Sequence, residues 1–379
     1  MLANSSALWP TFFASLLLAL LCDKLSVCEY GELGEKQYIR KNRLFFVFLL
    51  LAMCTFVGLR IWCNDTGTYR ETYELLTPDS GPLFQGISWK IGDSPFFQIL
   101  NTILKRIGFS SQSFLMFYSF LTNGLYLWFL RKYSDDFWLS TFLLWTMGVF
   151  LFSAAGMRQA VAIAIGLIGV DRAIQKKWIP FIFWILVAAM FHPYIVMFLA
   201  APFLMYSPWI GNTWISKGVF AAIGFTMENL MGTFLDITTM MGKTYEADAF
   251  SGDGVNVFRL LVVWAPIVLS FFTRRLMRES EEKENNLFMN FSILNAEIMF
   301  IALFGTANYF ARLANYFLIF QTLALPWMLK FFNEKSKKIL RLTIVACYML
   351  YFFFANVILT PFNTYFAKMP LMEYLQSIF

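Results

Sequence analysis

Four arginines and the only histidine fall where apolar runs would meet one face of a membrane: Arg60, Arg158, Arg259, Arg312 and His192. An arginine at the centre of a membrane helix costs roughly 2.5–3.5 kcal/mol on insertion scales. Four at one face point to an anion held there. A guanidinium stays charged, and its planar fork grips a phosphate through two parallel hydrogen bonds.

The polar residues around these cations come in four short segments. In 58–74, Asp65 precedes a stretch that the spacing predicts as a helix over 66–74 capped by Asp65, with Tyr69 and Tyr73 on one face and Glu71 and Glu74 nearby. Two readings are open: an acid beside aromatic platforms for sugar rings, or a capped surface helix with interfacial tyrosines. In 156–166, Gly156, Ala160 and Ala164 form one small-residue face, and Ala162, Gly166 and Gly169 a second. Such faces let helices approach closely. They turn Arg158 and its neighbour Gln159 into the bundle, against the alternative of an arginine snorkelling to the interface. His192 precedes Pro193 between two half-length apolar runs. It is placed to relay a proton or bind phosphate at a helix break, or to bond a helix-end carbonyl. Asn308, Arg312, Asn315 and Tyr316 form one polar ridge entering an apolar span, and Arg259 follows Asn256 by three.

The elements that must position these residues are membrane helices. The chain has 379 residues, 59% hydrophobic and 14% charged, against about 25% charge in soluble domains. Apolar runs give about twelve spans: 8–22, 44–62, 112–130, 137–152, 157–171, 178–191, 193–206, 214–231, 256–273, 287–304, 310–329 and 340–360. The expectation is an all-α polytopic protein with a single transmembrane domain over 1–379. Residues 8–22 read as a retained helix, since no basic stretch or small-residue cleavage site marks a signal peptide. The connections 23–43, 131–136, 172–177, 207–217, 274–286 and 330–341 hold 20 of the 30 Lys and Arg, which puts that set inside and both termini outside. The outer face then carries two long loops, 63–111 and 232–255. The first ends in an amphipathic stretch, Ser94 to Ile107, expected to lie on the membrane surface.

Several chemistries are set aside. The net charge of +6 sits in short loops between spans, so the positive-inside pattern explains it and nucleic acid is not an expected partner. The five cysteines lack metal spacing, and with one histidine a zinc site is not expected. No phosphate-cradling GxxxxGK[ST] or GxGxxG motif and no GxSxG is present. The acidic run Glu279 to Glu284 reads as a solvated loop.

The chain resembles the EpsG-like family, related to Wzy-type bacterial polysaccharide polymerases. The matching pieces are Gly58–Arg60 with Asp65 and Tyr69, Met157-Arg158-Gln159-Ala160, His192, and Arg312-Leu313 with Tyr316-Phe317, in the family's order across roughly 44–330. One departure is a glycine before proline in Asp79-Ser80-Gly81-Pro82, where the family often has glutamate-proline. The resemblance implies a GT-C-like glycosyltransferase in the bacterial plasma membrane. It would join undecaprenyl-pyrophosphate-linked oligosaccharides at the outer face, making capsule, exopolysaccharide or O-antigen. Donor and acceptor would both be lipid-linked, with membrane lipids, a chain-length regulator and a flippase as further candidate partners, and no cofactor. On this reading Arg158 and Arg312, with Arg60 or Arg259, bind the pyrophosphate. Asp65 is the first choice of base, ahead of His192 and Glu71. Tyr69, Tyr73, Gln159, Asn308, Asn315 and Tyr316 bind substrate. The rivals are an O-antigen ligase, another transferase using a lipid-linked sugar, and a flippase.

Overall fold

Runs of Leu, Phe and Val wind into helices here because hydrocarbon offers backbone groups no partner outside the segment. The computed structural model describes residues 7–29, 38–77, 86–206, 255–280, 282–304 and 307–377, with a few isolated positions between them. In chain order the helices are α1 (Leu8–Lys24), α2 (Arg43–Gly58), α3 (Thr66–Glu74), α4 (Pro95–Arg106), α5 (Ser111–Tyr133), α6 (Phe137–Thr146), α7 (Val149–Ala155), α8 (Met157–Ile174), α9 (Trp178–Ala189) and α10 (Ala201–Tyr206). They continue as α11 (Val257–Glu279), α12 (Lys283–Phe304), α13 (Ala307–Met328), α14 (Glu334–Phe353), α15 (Phe362–Tyr365) and α16 (Leu371–Gln376). Two small antiparallel pairs add strands β1 (Val27–Glu29) with β2 (Tyr38–Arg40), and β3 (Arg60–Cys63) with β4 (Phe366–Lys368).

The all-α membrane class holds, while several expected spans are shorter than the sequence suggests. Among the described residues four helices are long and apolar enough to cross a membrane, five if the bent pair α6–α7 counts as one. That pair bends by 47° at Gly148, whose φ of 81° suits a residue without Cβ. α9 has 12 residues, about 18 Å of helix, and 193–206 begins as a 3-10 turn over Pro193–Ala200 before α10. α2 ends at Gly58, so Arg60 lies in a strand and not in the span. The expected span 214–231 and nearly all of the loop 232–255 lie outside the described residues, as do Asp79 to Pro82.

Most of the basic connections gather at one end of the bundle. Connections 23–43, 131–136, 274–286 and 330–341 all contribute to one charged cavity of about 690 Å³. The end of α8 joins them, where Lys132, Tyr133 and Gln175 all bond the buried carboxylate of Asp171. Lys41, nearly buried, donates to the carbonyls of Arg131 and Ser134 at 2.8 Å each. The acidic run is tied in more firmly than a solvated loop would be: Glu282 accepts the indole N–H of Trp327 at 2.8 Å.

Side-chain amides bridge the bundle interior through backbone carbonyls. Gln321 reaches Val263 O and Asn295 Oδ1, and Asn295 reaches Ala314 O at 2.6 Å. Between apolar helices such bonds give affinity that burial alone does not supply. α8 is gripped on two sides. Tyr126 donates to Ala160 O at 3.1 Å. On the other side Gly166 meets the 193–200 turn so closely that an added Cβ would lie 2.9 Å from Ile195. Gly166→Leu would push that turn, and His192 with it, off α8. Overpacking of this kind costs about 1–3 kcal/mol, so the thermal midpoint in detergent is expected to fall. An unchanged midpoint would mean the turn does not rest on α8.

Candidate active site

The polar segments named above meet at the end of the bundle away from the charged cavity. A pocket of about 120 Å³ is lined by Asp65 and Tyr69, by Arg158 and Gln159, by His192, and by Arg312, with Asn64, Phe152, Ala155 and Gly156 completing its wall. These residues come from four separate stretches of chain.

Each is held by local structure. Asp65 stands at the start of α3, but its carboxylate makes no capping bond to the helix; its carbonyl accepts Tyr69 N–H at 3.0 Å instead. The expected cap is therefore a backbone turn, and the carboxylate is exposed at the pocket. Arg158 lies in the first turn of α8 with its guanidinium 5.9 Å from the ring centre of Tyr69, a cation–π contact. Because α8 begins at the pocket wall, the positive end of its dipole adds to Arg158 and Arg312 there. Gln159, buried, donates to Arg312 O at 2.6 Å and so locks α8 to α13 beside the cavity. His192 is extended at the break after α9, and its Nδ1 shares a hydrogen bond with the hydroxyl of the buried Tyr316. Helix α4 braces the same corner, since Phe96 N–H donates to Met190 O at 3.1 Å.

Other expected site residues are placed elsewhere. Arg60 is 1% exposed and lines no part of the pocket. Its guanidinium donates to Val57 O at 2.9 Å, Thr66 Oγ1 at 3.2 Å and Met157 Sδ at 3.3 Å. Burial pulls its pKa down to about 10, which leaves it protonated at neutral pH. Arg60 is thus a strut joining the end of α2, the start of α3 and the start of α8, and its fork is already occupied. Tyr73 does not offer a sugar platform: it is buried, stacked on Phe114 with centroids 4.3 Å apart, and donates to Phe109 O at 2.9 Å. Glu71 is exposed and does not line the pocket. Asn308 lies in the first turn of α13, its side chain outside the described residues.

Arg259 and Asn315 belong to a second cavity of about 390 Å³ that shares Phe152 and Ala155 with the first. Arg259 donates to Asn315 Oδ1 at 3.0 Å. Asn256, Asn356 and Tyr365 also line it, and Tyr365 donates to Asn356 at 2.7 Å. The last two escaped the sequence reading because 340–360 looks like one more apolar span and Tyr365 lies beyond it. Among the described residues no three His, Cys, Asp or Glu side chains gather as a metal would require.

The arrangement brings one exposed carboxylate, two guanidinium groups and a histidine to a pocket roofed by a tyrosine ring. It suits binding of an anion with a proton acceptor beside it. No curated protein and no solved structure matches the chain. The sequence pattern of the EpsG family matches residues 43–374, from the start of α2 to α16 and across every segment of the pocket, and the chain belongs to that family.

Proposed function

We propose that this protein is a membrane polysaccharide polymerase that joins oligosaccharide units carried on undecaprenyl pyrophosphate, at the outer face of the bacterial plasma membrane. The supporting observation is the meeting of Asp65, Arg158, His192 and Arg312 at one pocket. Family membership supports the reaction class. The short helices would complete about twelve crossings in a GT-C-like arrangement, with the charged cavity inside.

The acceptor hydroxyl attacks the anomeric carbon of the donor, the carbon–oxygen bond to pyrophosphate breaks, and the lipid pyrophosphate leaves with the bonding electrons. Arg158 and Arg312 hold that charge as it develops, which lowers the barrier more than binding the neutral sugar would. The acceptor proton passes to Asp65, and a single displacement inverts the anomeric centre. If Tyr316 donates to Nδ1 of His192, the ring proton sits on Nε2, and the histidine serves as a donor to phosphate oxygen. Asp65 is then the base. Tyr69, held under Arg158, packs on a sugar face. Energy comes from the activated donor, so no nucleotide is required.

Two substitutions test these roles in purified protein supplied with lipid-linked repeat units, with products resolved as a ladder on a gel. Asp65→Asn removes a carboxylate that makes no capping bond, so the fold should be kept. The rate is expected to fall by about 10²–10⁴, the usual contribution of a general base. A normal ladder would transfer the base role to His192. Arg158→Lys keeps the charge and loses the fork, and the polymerisation rate is expected to drop by roughly tenfold or more. Full-length polymer at the normal rate would end the clamp assignment. No ladder from the unaltered, folded protein with its cognate substrate would favour a ligase or flippase.

A further inference from the structure

Two helix faces outside the site carry the same pattern. On α1, Phe13, Leu17, Leu20 and Lys24 follow at i, i+4, i+7 and i+11; on α14, Lys337, Arg341, Val345 and Met349 follow at steps of four. Each is an apolar stripe that ends in cations, and the cations of both stripes lie at the same end of the bundle, in the charged cavity. Between the two helices runs a groove of about 370 Å³ with no polar surface, floored by Trp138 and Phe142 of α6. These two rings stack at 5.7 Å. Phe13 and Leu17 remain 57% exposed along the groove. Leu20 and Trp138 line both the groove and the charged cavity, so the two spaces adjoin.

The charges at this junction are unevenly satisfied. Arg341 pairs with Asp136 and lies 5.2 Å above the Trp138 ring. Asp23 accepts the backbone N–H of Trp138 at 2.8 Å, and Asp135 pairs with Lys330 at 2.6 Å. Among the described residues Lys337 pairs only with Glu334, at 3.6 Å, whose side chain is 80% exposed, and pairs of that kind add little. Lys24 has no carboxylate within 4.0 Å among the described residues. Two ammonium groups therefore stand over the end of a dry groove.

We propose that this groove is a binding site for an anionic glycerophospholipid of the inner leaflet. One acyl chain lies between α1 and α14 over Trp138 and Phe142, and the headgroup phosphate meets Lys24 and Lys337. The chain supplies little selectivity, because the groove would face lipid tails in any bilayer. Selection comes from the headgroup, where each lysine near the surface contributes attraction to anionic lipid. The site is at the opposite end of the bundle from the pocket of Asp65 and Arg158 and stands independently of the polymerase reading.

The test is native mass spectrometry of the purified chain incubated with equal amounts of phosphatidylglycerol and phosphatidylcholine. The unaltered protein is expected to retain phosphatidylglycerol preferentially. Lys24→Gln with Lys337→Gln should reduce that preference by roughly tenfold, and Leu17→Trp, which fills the groove, should reduce retention of both lipids. A thermal melt shows that each variant is folded; if the double change unfolds the protein, Lys24→Gln alone must still lower the preference. Equal retention of the two lipids by the unaltered protein overturns the proposal, and so does an unchanged preference in the lysine variants. Displacement of phosphatidylglycerol by undecaprenyl phosphate in the unaltered protein but not in Leu17→Trp makes the groove a substrate-lipid site and also overturns it.

Discussion

Hydrocarbon does not solvate a guanidinium or a carboxylate, and the placement of nearly every ionisable group in this chain follows from that cost. Among the described residues, two clusters of charge stand at opposite ends of the bundle, each around a cavity. At one end Asp171, Lys41, Glu282 and Arg341 are bound into pairs and carbonyl contacts. At the other, Arg158 and Arg312 line a pocket whose nearest acid, Asp65, is exposed. The two ends differ in kind. The first consumes most of its charge in structure and leaves Lys24 and Lys337 without a buried partner among the described residues, whereas the second presents charge to whatever enters.

That contrast explains why Arg60 matters although it lies outside the pocket. Its three donors tie Val57, Thr66 and Met157 into one corner, from which Asp65 and Arg158 both project. The corner is closed from outside by the returning chain: β4 pairs with β3 through Arg60↔Lys368 and Cys63↔Phe366, and Phe366 stacks on Phe56 with centroids 5.1 Å apart and planes within 9°. A buried cation of this sort acts by holding Asp65 and Arg158 at a fixed separation, a contribution that a loop alone would not make.

What the sequence made legible was local. The helix over 66–74, the amphipathic stretch realised as α4, and the small-residue faces of α8 all follow from spacing and residue size. The gathering of Asp65, Arg158, His192 and Arg312 was legible as a shared face, and the structure gives it a pocket. Orientation about each axis was not legible. Tyr69 and Tyr73 are neighbours on α3, yet Phe114 of α5 claims Tyr73 and leaves Tyr69 at the pocket. The polar ridge of α13 divides for a geometric reason. At about 100° per residue, Tyr316 stands about 40° from Arg312, while Asn315 stands about 60° to the other side. Arg312 and Tyr316 serve the small pocket and its histidine, and Asn315 turns to Arg259. Whether Arg60 faced a cavity depended on a strand pairing with residues 366–368, which leaves no mark in the local pattern.

The two adjoining cavities constrain how a polymerase of this build would work. A volume of about 120 Å³ is well below the 300–1,000 Å³ of sites that enclose a whole small ligand. It would enclose only the reacting junction, the anomeric carbon and the phosphate beside it, with both glycans outside. The neighbouring cavity is larger, carries three asparagines, two tyrosines and Arg259 among its apolar lining, and shares Phe152 and Ala155 with the first. Neutral amides and phenols suit sugar hydroxyls, whereas the paired guanidinium groups of the small pocket suit phosphate. A single thin wall from α7 would then divide glycan recognition from charge stabilisation. Because α7 begins at the Gly148 bend, that wall is anchored on one side by a short helix of seven residues. The chemistry would thus be fixed by the rigid α3–α8–α13 corner, while the repeat unit accepted would be set by side chains across the wall, where substitution leaves the arginines in place.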